Sequence, residues 1–166
     1  MQRGKYQDAY TKFHHAAQLT YHHYGPTSEE WLYLRGKTAE CITYLGKYEE
    51  AGQIFSELLT TRRRLYGNDH PGILGTWINY LVCLEKQRDY PKALAEAELL
   101  LPFCTKLLGN HHNSPLYVRS KYAAILRGIG KPNLALIEIH RLLIARRDDL
   151  GPDHIDTLNT RGHHAA

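Results

Sequence analysis

Apolar residues recur along most of this 166-residue chain at intervals of three and four, with polar and charged residues between them, and strand-like alternation is nowhere sustained. The pattern predicts helices throughout. They come in pairs: EEWLYLRGKTAECITYL, the break GK, then YEEAGQIFSELLTTRRRLY reads as a helix, a tight turn and a second helix. The pairs themselves repeat. Gly25, Gly67, Gly109 and Gly151 are each 42 residues apart, as are Leu32, Leu74, Leu116 and Leu158, then Leu58, Leu100 and Leu142, and Ala51, Ala93 and Ala135, with Ala9 one interval earlier. A fixed interval of this length marks a repeat architecture, in which each unit buries its apolar face against its neighbours.

The expected fold is all-α, an α-solenoid of antiparallel helix pairs, running through residues 1–166 as one domain. Its divisions are a half repeat 1–24, repeats 25–66, 67–108 and 109–150, and a truncated repeat 151–166. The inward positions of the first helices are Leu32, Ala39 and Ile42, then Leu74, Leu81 and Leu84, then Leu116, Ala123 and Leu126, then Leu158 and Ala165. In the second helices they are Ala51, Phe55, Leu58 and Leu59, matched by Ala93, Ala97, Leu100 and Leu101. The in-phase alanines let two helix backbones approach closely, and a large residue there costs about 1–3 kcal/mol.

The turns GKY (4–6), GKY (46–48), RDY (88–90) and GKP (130–132) recur in phase. Glycine supplies the left-handed conformation that ends a helix, and Pro91 and Pro132 fall in the next first turn, where no amide donor is lost. Pro102 falls inside a second helix and predicts a kink. Gly36, Gly52, Gly75 and Gly128 fall in helical stretches at about 1 kcal/mol each against alanine. By the same register Gly4 sits in a turn and Met1 ends an absent first helix, while TLNTRGHHAA stops midway through one. Uncapped apolar ends of this kind predict a fragment of a longer protein, or self-association through the ends.

The stretch LYGNDHPGILGT invites a catalytic or metal reading through Asp69 and His70. Its counterparts are His111-His112 and Asp153-His154, with Thr27-Ser28 in the first copy, and Ser, Thr and Asp are residues that cap helix starts. Asp69 or His70 is therefore expected to cap a helix that Pro71 begins. Eleven histidines include the adjacent pairs 14/15, 22/23, 111/112 and 163/164, but neighbours on a helix point about 100° apart and no H-x-x-x-H pair stands on a helix, so no metal is expected. No nucleophile elbow, phosphate loop or dinucleotide turn is present, and no enzyme or cofactor is expected.

Three cysteines without C-x-x-C spacing argue against disulfide and zinc frameworks and fit a reducing, cytoplasmic setting. No signal-peptide core or membrane-length apolar run is visible. A net charge of +4 comes from 21 basic and 17 acidic residues, too balanced to point to nucleic acid or a membrane surface. The runs at 62–64 and 146–147 complement the negative ends of second helices.

With LGPDHIDTL and YGNDHPGIL before first helices and GKYEEA at a turn, the chain resembles tetratricopeptide repeats of the 42-residue kinesin-light-chain type, common in bacterial regulatory proteins. The resemblance implies a right-handed superhelix that binds a protein or peptide partner along the groove formed by the first helices. It places Tyr33, Gly36, Glu40 and Tyr44, then Ile78, Val82 and Lys86, then Tyr117, Ser120 and Arg127 on that groove. Asn79 matches the asparagine that binds a peptide backbone. The Lys and Asn of the chaperone-binding carboxylate clamp are absent from positions 36, 78, 120, 40, 82 and 124. An interaction module is the first expectation; a detached regulatory segment of a larger bacterial kinase or nucleotide-switch ATPase is the alternative.

Overall fold

The computed structural model describes residues 2–164. Its elements are α1 (Gln2–Tyr24), α2 (Glu29–Tyr44), α3 (Tyr48–Tyr66), a 3₁₀ turn (Pro71–Ile73), α4 (Leu74–Gln87), α5 (Tyr90–Leu108), α6 (Asn113–Gly128), α7 (Pro132–Leu150) and α8 (Ile155–His164). The chain divides into two compact units, Met1–Gln87 and Arg88–Ala166. In the first unit α1 packs on α2, α2 on α3 and α3 on α4; in the second α5 packs on α6, α6 on α7 and α7 on α8.

The in-phase apolar positions form the interior. Leu32, Ala39, Ile42, Ala51, Phe55, Leu58, Leu59, Leu74, Leu81 and Leu84 are buried in the first unit, and Ala93, Ala97, Leu100, Leu116, Ala123, Leu126, Ala135 and Leu142 in the second. Ala51, Ala93 and Ala135 are each 0% exposed, which leaves no room for a larger side chain. Leu101 and Leu158 are half-buried, and Ala165 and Met1 lie outside the described residues.

Helices end where the glycines stand: Gly25, Gly46, Gly67, Gly109, Gly130 and Gly151 all have positive φ. The turn expected at residues 4–6 is not there. α1 runs unbroken through Gly4, whose φ is not positive, because propagating a helix through one glycine costs only about 1 kcal/mol. Arg88, in phase with Gly46 and Gly130, is forced to φ 62°, a conformation that strains a residue with a Cβ. Pro102 lies within a single helix α5 and is exposed, so water can reach the Glu98 carbonyl left without an intrahelical donor.

The starts of the first helices are fastened by side chains, those of α4 and α8 twice. Ser28 Oγ accepts from the Trp31 amide at 3.3 Å, and in the later copies a histidine ring takes this part. His70 Nδ1 accepts from Gly72 N at 3.0 Å, His112 Nδ1 from Ser114 N at 3.1 Å and His154 Nδ1 from Asp156 N at 3.2 Å. The cap is thus the histidine and not the preceding Asp69, which requires each ring to be neutral with its proton on Nε2. A second fastening comes from the preceding helix. Arg62 donates to the Gly72 carbonyl at 2.8 Å, and Arg146, two intervals later, donates to the Asp156 carbonyl at 3.2 Å. Arg63 lies over the Trp77 ring at 4.3 Å. The basic runs therefore do more than complement helix ends.

The helical glycines divide into two kinds. A Cβ on Gly75 would meet nothing within 4 Å, whereas on Gly128 it would fall 2.5–2.8 Å from three Tyr90 ring atoms. In chemical denaturation, Gly75→Ala is expected to stabilise by up to about 1 kcal/mol, and Gly128→Ala to destabilise despite the same propensity gain. Arg88→Gly should stabilise by about 1 kcal/mol through relief of its backbone strain.

Candidate functional site

In the first unit α2 and α4 present adjoining faces. Tyr33 on α2 is 54% exposed, and its ring lies 5.7 Å from the Lys37 ammonium. Lys37 Nζ pairs with Glu40 Oε2 at 2.8 Å, and the other carboxylate oxygen accepts from Asn79 Nδ2 of α4 at 3.4 Å. The hydrogen bond to Glu40 holds the Lys37 ammonium above its ordinary range, more than offsetting its partial burial. Tyr33, Lys37, Glu40 and Asn79 are thus one connected surface. Ile78 and Val82 of α4 are half-buried and Lys86 is exposed. Tyr44 lies at the end of α2, where its ring stacks on Tyr6 of α1 at 4.5 Å and 13°. That ring is shared with the packing of α1.

In the second unit the Tyr–Lys pair recurs two intervals later: Tyr117 is 40% exposed and the Lys121 ammonium is 5.4 Å from its ring centroid. Beside it a cleft of about 260 Å³ opens between α6, α7 and α8. Ala123, Ile139 and Leu142 line its apolar part, and Lys121, Arg127 and Arg146 bring positive charge, with Ser120, Asn159 and Thr160 as neutral polar groups. Among the described residues no carboxylate lines it. Arg146 is held by Thr160 Oγ1 at 2.7 Å, while Arg127 is exposed and makes no ion pair with a described residue. Arg127 had a sequence signal in its register; Lys37 and Lys121 were legible only as lysines one helical turn after a first-helix tyrosine, and Arg146 and Asn159 required the packing of α7 and α8.

Chemistry outside these faces is absorbed by the fold. The Asp-His pair at 69–70 is a helix start, with the His70 ring nitrogen committed to the backbone. Among the described residues no three His, Cys, Asp or Glu side chains are grouped to hold a metal ion, and no helix is long and apolar enough to cross a membrane. Glu138 of α7 is 7% exposed and was not anticipated as a buried charge. It accepts from Arg119 Nη1 of α6 at 2.6 Å and from Arg141 Nη1 at 2.7 Å. Both carboxylate oxygens are thereby occupied, which makes the group structural.

The geometry is that of a helical repeat protein whose first helices offer aromatic and charged surface. Residues 30–106 match the model of the tetratricopeptide repeat family and carry that repeat. Two crystal structures of nearly identical TPR-like repeats assigned to a kinesin light chain of Podosopora anserina, one of them a point variant, are similar to the chain at 16% identity. Their TM-scores are 0.86 and 0.85, with 99% of this chain and 77% and 78% of theirs covered. BtubC (BKLC) from P. vanneervenii is similar at 14% identity and TM-score 0.72, over 95% of this chain and 63% of that one. The fold is therefore the kinesin-light-chain-like α-solenoid of TPR repeats. No curated protein matches the chain. TPR repeats mediate protein–protein interaction and form a scaffold family rather than a catalytic one.

Cys41, Cys83 and Cys104 are free and buried at 6%, 0% and 0% exposure. Burial pushes all three thiols up, Cys104 to about 11. Thiol labelling at pH 8 should leave the folded protein largely unmodified and modify all three on denaturation. The native state favours neutral Cys104, so its contribution to stability is present below the ordinary thiol value and is lost as pH rises toward about 11. Melting temperature should accordingly fall more steeply over that interval in the parent protein than in Cys104→Ala.

Proposed function

We propose that the chain is a non-enzymatic interaction module that holds a polypeptide segment of a partner protein on its first-helix faces, in a cytoplasmic setting. The observation that carries this reading is the cleft beside Tyr117. It combines an apolar floor with cationic side chains and neutral hydrogen-bonding groups, and a carboxylate-bearing peptide would complement all three. The repeated Tyr–Lys pair supports it, because tyrosine offers broad contact area at low entropic cost and each lysine adds charge beside it. Glu40 and Asn79 supply an acceptor and a donor suited to peptide backbone groups.

The test is affinity capture from native lysate, with captured proteins quantified at increasing salt. Tyr33→Ala, Asn79→Ala, Tyr117→Ala and Arg127→Ala should each reduce recovery of the same partner with little change in melting temperature. Ala93→Trp should lower the melting temperature by overpacking the interior. Recovery unaffected by all four surface variants would defeat this reading.

A further inference from the structure

The side of α2 that carries Trp31 and Arg35 is turned about 160° from Tyr33, by the 100° step of an α-helix. Two adjoining cavities of about 330 and 150 Å³ lie along it, between α1, α2 and α3, and both are lined by Trp31, Arg35 and Glu57. Tyr21 of α1, with its ring 5.8 Å from Trp31, forms one wall, and Arg64 of α3 stands at the other end. Arg35 is half-buried, yet no ion pair or hydrogen bond joins its side chain to another described residue.

The second unit shows what this position holds when it is filled. Arg119 stands two 42-residue intervals after Arg35 and binds the buried carboxylate of Glu138 at 2.6 Å. The in-phase counterpart of Glu138 is Ile54, which is buried and supplies no charge. The first unit therefore keeps the guanidinium, adds aromatic walls and lacks the internal carboxylate. We propose that the crevice at Trp31 and Arg35 receives the Asp or Glu side chain of a partner polypeptide, with Arg35 as its principal contact. This is a second docking surface, on the side of α2 turned away from Tyr33.

A single carboxylate fits the local charge better than a phosphate. Arg35 and Arg64 outnumber Glu57 by one, and Glu57 would repel a doubly charged group. The indole and phenol walls are matched to the apolar surface flanking a side chain on a polypeptide, and Glu57 to its backbone amides.

The test uses the full chain and a capped peptide, acetyl-Leu-Glu-Leu-Glu-Leu-amide, with its glutamine analogue as control. Trp31 and Trp77 are the two tryptophans, so the indole N–H resonance of Trp31 reports the crevice and that of Trp77 serves as reference. The acidic peptide should shift Trp31 saturably, with affinity at least tenfold above the glutamine analogue. Arg35→Gln should abolish that difference without lowering the melting temperature, Glu57→Gln should tighten binding, and Arg127→Ala should leave the Trp31 response intact. Arg119→Gln, which strands Glu138, should lower the melting temperature. A silent Trp31 resonance, equal binding of the two peptides, or destabilisation by Arg35→Gln as large as that by Arg119→Gln would overturn the proposal.

Discussion

Everything in this molecule depends on a packing constraint: no helix here can bury its apolar stripe by itself. A single amphipathic helix leaves that stripe in water, and burial of a leucine side chain is worth roughly 1.5–3 kcal/mol only when a neighbour covers it. The pairs α2–α3 and α6–α7 each carry a fully buried alanine at the start of the second helix, Ala51 and Ala135. Chain order then sets spatial order, because each helix packs on the next within its unit. The surface left on the first helices is a by-product of that stacking, and Tyr33, Lys37, Tyr117 and Lys121 are displayed there at the same repeat positions.

The interior was legible because its determinants are local and periodic. Leucines at 32, 74 and 116 and alanines at 51, 93 and 135 need no knowledge of what they touch to be placed inside. The surface was legible only in part. Tyr33 and Tyr117 could be put on the first-helix face by register, but the links from Glu40 to Asn79 and from Glu138 to Arg119 join residues 39 and 19 apart, and such pairings depend on rotamers that the pattern does not encode. Gly4 misled for a related reason. A glycine permits a helix end without compelling one, whereas Arg88 is compelled into the left-handed region by its neighbours despite its side chain. The identity of the cap was likewise hidden, since Asp69 is the better acceptor by type and His70 is the one the backbone brings into line.

Repetition also gives the molecule an internal standard. Where two copies of a position carry the same residue, differences in their surroundings show what each unit has gained or lost. Arg62 and Arg146, two intervals apart, do the same work at the starts of α4 and α8, whereas Arg119 binds the buried Glu138 and its copy Arg35 has no such carboxylate. By that comparison Glu57, the counterpart of Arg141, reverses the charge beside an otherwise equivalent arginine. The two units are thus built on one plan with different electrostatic surfaces.

The arginine that fastens a helix start from the helix before it is missing at α2, where Thr20 stands in its place, and at α6. In α5 the corresponding residue is Cys104, whose Sγ turns back to the Leu101 carbonyl of its own helix at 3.4 Å. The start of α6 keeps its histidine cap and gains a tie from behind, His111 to Asp149 at 2.8 Å, but that tie is exposed and acts outside the helix's first turn. In a stack that opens by successive breaks, the cheapest break falls at the least-fastened seam. The first turn of α6 is therefore one whose amide protons would escape sooner than those of α4 and α8, and it lies one turn ahead of Tyr117, so a loosely held joint adjoins the exposed aromatic face of α6.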